Sequence, residues 1–127
     1  MQKVMKYGLI ILKDNKFLIC RKKHTELFIL PGGKPEGNEN AEQCIEREIL
    51  EELNCNVDVK SLKYLGDFED IAAYEKNLIV QIKLYQGRII GNPEPSSEIA
   101  ELKWFGKDDE YEILSPILRN KIVFAIF

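Results

Sequence analysis

The sequence has no apolar run long enough to cross a membrane as a helix. A spanning helix needs about 20 predominantly apolar residues, and the longest runs here are Gly8–Leu12 and Ile122–Phe127. The first is also too short for the core of a secretory signal, and Lys13-Asp14 follow it without a small-residue cleavage pattern. Cysteine is scarce. Cys20, Cys44 and Cys55 make an odd set with no C-x-x-C pair, which disfavours a disulfide framework and a zinc site. A cytoplasmic protein with reduced thiols and no membrane partner is the expectation. The lone histidine, His24, has no partnered Ser or Cys and so makes no nucleophile constellation. No G-K-[ST] follows Gly32-Gly33, which excludes a Walker loop. Basic residues are not in excess either: 18 Lys and Arg face 21 Asp and Glu, a formal net charge of −3. That argues against a nucleic-acid polymer as partner, and says little about small anions.

What remains fits one α/β domain over residues 1–127. Val4–Lys13 and Lys16–Arg21 are β-rich segments separated by Asp14-Asn15, which reads as a hairpin. Leu27–Leu30 is a short strand candidate halted by Pro31-Gly32-Gly33, and Lys34–Asn40 is a polar loop. Ala41–Leu53 has no Gly or Pro and is rich in Glu, Gln, Leu and Ile, so it predicts a helix with Asn38 or Asn40 as N-cap. Asn54 supplies its left-handed stop. Val57–Phe68, Leu78–Ile89 and Leu102–Phe105 read as strands, and Ser115–Phe127 as a second helix with Pro116 in its first turn. No repeat or linker divides the chain.

The first helix carries an unusual acidic run. Such a run is ordinarily a solvated face, but the geometry contradicts that here. At about 100° per residue from Ala41, Ile45 falls near 40° and Ile49 near 80°, while Glu52 falls near 20°, Glu48 near 340° and Glu51 near 280°. Two carboxylates therefore lie within the apolar arc and a third at its edge. Clustered carboxylates that lose water repel one another, and a divalent cation removes the conflict. Glu48, Glu51 and Glu52 stand at i, i+3 and i+4, so all three can serve one site. Hard oxygen ligands of this kind suit Mg²⁺, which commonly bridges to phosphate.

From Gly33 to Cys55 the chain reads GKPEGNENAEQCIEREILEELNC. This resembles the Nudix (MutT-like) signature G-x5-E-x7-R-E-U-x-E-E-x-G-U, in which U is a bulky aliphatic residue. Gly33, Glu39, Arg47, Glu48, Ile49, Glu51 and Glu52 all match at the required spacing. Asn54 and Cys55 depart from it, as a residue tolerant of the left-handed region and as a small hydrophobe. The resemblance implies an α/β/α sandwich with a mixed sheet and a catalytic loop-helix.

It further implies hydrolysis of a nucleoside diphosphate linked to another group, with Mg²⁺ or Mn²⁺ as cofactor. Glu48, Glu51 and Glu52 look like the metal ligands, with the Gly32 carbonyl as another, and Arg47 with Glu39 would fix the loop against the helix. The general base stays open among Glu98, six residues before Trp104, Glu52 and Glu101. In Arg21-Lys22-Lys23-His24, Arg21 or Lys23 is the candidate for substrate phosphates, against the alternative of a charged strand end. Phe28 leads into the glycine loop and is the favoured stacking aromatic over Tyr74, Tyr85, Trp104 and Tyr111. Markers of NADH- and coenzyme A-cleaving subfamilies are missing. A nucleoside triphosphate pyrophosphohydrolase is therefore expected. The alternatives are a hydrolase of ADP-ribose or dinucleoside polyphosphates and a non-catalytic nucleotide sensor. The chain would act as a monomer or homodimer. Gly33–Cys55 holds seven carboxylates and two basic residues, a net of −5, so the remainder carries +2.

Overall fold

Alternation in the N-terminal strands sets the layering. In a computed structural model describing residues 1–127, β1 (Gln2–Ile10), the short β2 (Leu12–Lys13) and β3 (Lys16–Lys22) lie at the centre. Leu9, Ile11 and Leu18 point to one side, where they pack on Ile45, Ile49 and Leu53 of α1 (Ala41–Leu53). Ile10, Phe17 and Ile19 point to the other, onto Leu114, Leu118 and Ile122 of the C-terminal segment. The period of two in a strand delivers alternate residues to two separate cores, and the result is the expected α/β/α sandwich.

Two sheets share the middle layer. One has the order β4-β1-β6-β5, where β4 is Gly32–Gly33, β5 is Asn56–Ile71 and β6 is Leu78–Ile90. It is mixed, because β1 runs parallel to β6 and antiparallel to β4. The other has the order β2-β3-β7, with β7 at Ile99–Phe105. The segment expected as one strand over Val4–Lys13 breaks at Ile11 because the chain there passes from the first sheet to the second. Asp14 and Asn15 turn the hairpin with φ of 53° and 62°, the conformation a two-residue turn of this kind requires.

One further expectation is corrected, and the expected C-terminal helix is present with a local variation. Leu27–Leu30 forms isolated bridges rather than a strand. Its partners include an irregular segment, since the Phe28 N–H donates to Ile113 O and the Ser115 N–H to Phe28 O. The C-terminal helix is not uniform: Leu118–Ile122 is π-helical and runs into α2 (Val123–Ile126). No helix is long and apolar enough to cross a membrane.

Candidate active site

The site begins with the way α1 is anchored. Asn40 accepts the Gln43 N–H at 2.9 Å while the Gln43 side chain accepts the Asn40 N–H at 3.0 Å. This reciprocal pair fixes the first turn. At the other end Asn54 takes φ 55°, ψ 37° and donates its N–H to Leu50 O. Between the caps the helix faces as the spacing predicts: Glu52 is buried at 7% exposure, Glu48 is half-buried and Glu51 half-exposed.

The glycine loop meets this helix backbone to side chain. Gly32 and Gly33 pair with Gly8 and Tyr7 of β1, and the Gly32 N–H donates to Glu52 Oε1 at 2.9 Å. Gly32 has φ 140°, and a Cβ there would stand 2.1 Å from the Tyr7 carbonyl oxygen. At Gly33 a Cβ would stand 2.6 Å from Glu48 Cδ. At Gly32 backbone blocks anything larger than hydrogen, and at Gly33 a side chain would force the Glu48 carboxylate to move. The Cys44 Sγ–H donates to Gly33 O at 3.6 Å, a further tie between loop and helix.

Arg47 binds the loop from the far side. Its Nε and Nη2 donate to the two Glu39 oxygens at 2.8 and 2.9 Å, Nη2 also donates to Lys34 O at 3.0 Å, and Nη1 donates to Glu48 at 2.8 Å. The planar fork suits this bidentate arrangement. Hydrogen bonds from Arg47 and from the Glu36 N–H hold the Glu39 carboxyl down at about 2. Neither Arg47 nor Glu39 lines the cleft described next; both hold Glu48 and the loop in place from behind it.

An open cleft of about 1110 Å³ runs beside the helix. Gly32, Gly33, Glu48, Glu51, Glu52 and Glu98 are among the residues that line it. Burial is the largest cause pushing Glu52 up, to about 8, and the charge of Glu48 and Glu51 adds to it. Burial raises Glu48 as well, against the pull of Arg47. The three carboxylates do not converge on one point in this structure, because Glu48 is turned to Arg47 and Glu52 to Gly32. Their hard donors and mutual repulsion nonetheless fit a divalent cation.

The remaining candidates separate cleanly. Glu98 lines the cleft, whereas Glu101 lies outside it and accepts from Arg21 Nε at 3.0 Å. Arg21 is itself used up, since its Nη1 donates to Thr25 O at 2.8 Å. Lys23 is exposed outside the cleft, and Phe28 is buried in the core under the C-terminal segment. The structure thus does not bring Arg21, Lys23 or Phe28 to the cleft. A bulge between Arg21 and Lys22 in the pairing of β3 with β7 accompanies the change, and Lys22 is the member of the run that lines the cleft. Lys6, Lys34 and Tyr74 line it as well. The register would have identified Lys34, which directly follows the glycines, but no local pattern marks Lys6.

The NUDIX domain family model matches residues 4–121 of the chain. An ADP-ribose pyrophosphatase of Methanocaldococcus jannaschii is 32% identical over 99 residues, covering 76% of this chain and 57% of that protein. The NAD-capped RNA hydrolase NudC of Pseudomonas syringae pv. syringae is 27% identical over 116 residues, covering 90% of this chain and 38% of that protein. The chain spans about half the length of these curated relatives. Among solved structures, that of a MutT NUDIX hydrolase from Burkholderia pseudomallei has the same fold, with a TM-score of 0.79 at 24% identity, covering 99% of this chain and 97% of that one.

Proposed function

The chain belongs to the NUDIX family, and from that premise we propose that it hydrolyses a nucleoside diphosphate linked to another group, most simply a nucleoside triphosphate, to a monophosphate and pyrophosphate. One observation carries this reading: Glu48, Glu51, Glu52, Gly32 and Glu98 border a single cleft, with two of the carboxylates withdrawn from water. Glu48, Glu51, Glu52 and the Gly32 carbonyl would hold Mg²⁺ or Mn²⁺. The bound cation would neutralise charge on the phosphate oxygens and acidify a water. Arg47 and Glu39 keep Glu48 and the loop in register. Glu98 faces the same space from the β6–β7 loop and is the candidate to accept the proton of the attacking water. A binder with no turnover would not require three carboxylates along one cleft.

The test is product analysis with Mg²⁺ and a panel of nucleoside triphosphates, ADP-ribose, NADH and dinucleoside polyphosphates. Monophosphate and pyrophosphate are expected from a triphosphate, and Glu52→Gln should remove at least 100-fold of kcat, the scale of losing a charge-stabilising group. Turnover of nothing in the panel, or full activity in Glu52→Gln, would overturn the reading. ADP-ribose is the second candidate, favoured by the similarity to the archaeal ADP-ribose pyrophosphatase.

A further inference from the structure

Asn54 stands where the signature has glycine. As a helix stop the exchange is conservative, because asparagine also takes the left-handed φ of 55° found here. Its side chain does something glycine cannot. Nδ2 donates to Glu94 Oε1 at 2.7 Å, joining positions 40 apart in sequence. The backbone around this bond follows the same course. Carbonyls at the end of a helix have no partner within it. At the end of α1, Leu53 O accepts the Glu94 N–H at 3.1 Å and Glu52 O accepts the Ser96 N–H at 3.0 Å. Pro93 and Pro95 flank Glu94, so Glu94 and Ser96 carry the only N–H groups of residues 93–96. Both are directed to α1.

The laced segment leads directly to Glu98. After Ser96 the chain turns through Ser97, with φ 55°, and the Ile99 N–H closes the turn on Ser96 O at 3.0 Å. From the other side, Glu98 O accepts the Lys23 N–H at 2.8 Å. Glu52 and Glu98 line the same cleft, and one hydrogen bond plus the step from Ser96 to Glu98 connects them. Stability does not account for the Asn54–Glu94 pair. Glycine suits the left-handed region better than asparagine does, and a carboxylate beside a helix C-terminus meets the negative end of its dipole. Both residues are exposed, where a hydrogen bond competes with water. What the pair adds is a side-chain tie on the loop that carries Glu98.

Resting on the hydrolase reading, we propose that Asn54 and Glu94 are positioning residues, which clamp the β6–β7 loop to the end of α1 and so fix Glu98 relative to Glu52 for attack by water. Neither residue lines the cleft. Their effect on the reaction runs through Glu98 alone, and the departure from glycine at position 54 is what makes the clamp available.

The experiment compares the wild type with Asn54→Gly, Glu94→Ala and Glu94→Gln, and adds Asn54→Gly on a Glu98→Gln background. Amide hydrogen exchange followed by NMR reports the clamp, melting reports stability, and kinetics in Mg²⁺ use dGTP or ADP-ribose, whichever is turned over faster. In Asn54→Gly and in Glu94→Ala the amides of Glu94 and Ser96 should exchange about fivefold faster, the scale of one hydrogen bond. In both, kcat should fall by a similar factor with KM unchanged. Asn54→Gly should melt at the wild-type temperature or higher, so that activity and stability part company. Glu94→Gln keeps an acceptor oxygen and should restore most of both readouts. On the Glu98→Gln background Asn54→Gly should cost nothing further, as coupled residues require. Unchanged exchange and kcat in Asn54→Gly, or a kcat loss that persists in full without Glu98, overturns the proposal and leaves the hydrolase reading standing. A wild type that turns over none of the nucleotides in the panel sinks the hydrolase reading, and this role with it.

Discussion

Gly33→Ala tests whether the glycine loop sets the position of Glu48. The added Cβ would lie 2.6 Å from Glu48 Cδ and 2.8 Å from both carboxylate oxygens. Ordinary carbon contacts are about 3.5–4.0 Å, so the carboxylate must retreat by about 1 Å. It is not free to do so, because Arg47 Nη1 holds it at 2.8 Å and Arg47 is in turn held by Glu39 and Lys34 O. Losing that charge-assisted bond costs about 1.5–3 kcal/mol, which for a domain of this size lowers Tm by about 5–12 °C. Displacement of a positioned group by this distance costs about 100-fold in kcat/KM. The assay is a metal-free thermal melt combined with a Mg²⁺ titration of activity, in which the half-maximal concentration should rise. Gly37→Ala is the control: its φ of 53° is also unfavourable for alanine, but a Cβ there meets nothing within 4 Å. It should lose about 1 kcal/mol from backbone strain and leave the Mg²⁺ response alone. If Gly33→Ala melts within 2 °C of wild type with the same Mg²⁺ midpoint, the packing argument is refuted.

Three other outcomes follow from the same geometry. Glu39 is held below the ordinary carboxylate range, at about 2, so its pairing stabilises the fold above the unfolded value of about 4.5 and is lost as pH falls from there toward 2. Melts across pH 2–6 should show a steeper acid-side fall for wild type than for Glu39→Gln, and parallel curves would exclude the linkage. Glu98→Gln should lower kcat by about 100-fold or more, the scale of a general base, whereas Glu101→Gln should stay within a few-fold, because Glu101 serves Arg21 outside the cleft. Equal losses would reject the assignment. The thiols of Cys20, Cys44 and Cys55 are all buried, and burial raises each of them, Cys44 to about 11. A disulfide reagent at pH 8 should therefore label none rapidly in the native protein and three after denaturation, and prompt native labelling would contradict the burial.

Much of this was legible in the sequence because it is local. The helix over Ala41–Leu53, its Asn40 and Asn54 caps and its acidic face follow from propensity and from a period of 3.6, which need only neighbouring residues. The hairpin at Asp14-Asn15 is equally local. What is not legible depends on distant partners. Composition makes Arg21 and Lys23 candidates for phosphate, but a bulge against β7 and the proximity of Glu101 decide which cation of the run reaches the cleft. Phe28 precedes the glycine loop, yet it is buried in the core because Ile113 and Ser115 bond its backbone from 85 or more residues away. Lys6 is visible as a neighbour of the cleft only once the ladder with Gly32–Gly33 is known.

The pairing of β1 with β6 also bears on how the molecule comes together. Gln2 lies beside Leu78, and the ladder continues to Ile10 beside Gln86. Such a parallel pair closes a loop of more than 70 residues, and non-local closure of this kind is slow compared with local structure. α1 carries its own caps and can begin to form while the chain is still being made, but Gly32–Gly33 is an edge strand whose one ladder is with β1, and β1 is paired on its other side with β6. A nascent chain that already contains the whole acidic motif therefore still lacks its geometry. Competence for chemistry is acquired late, with the closing of the central sheet.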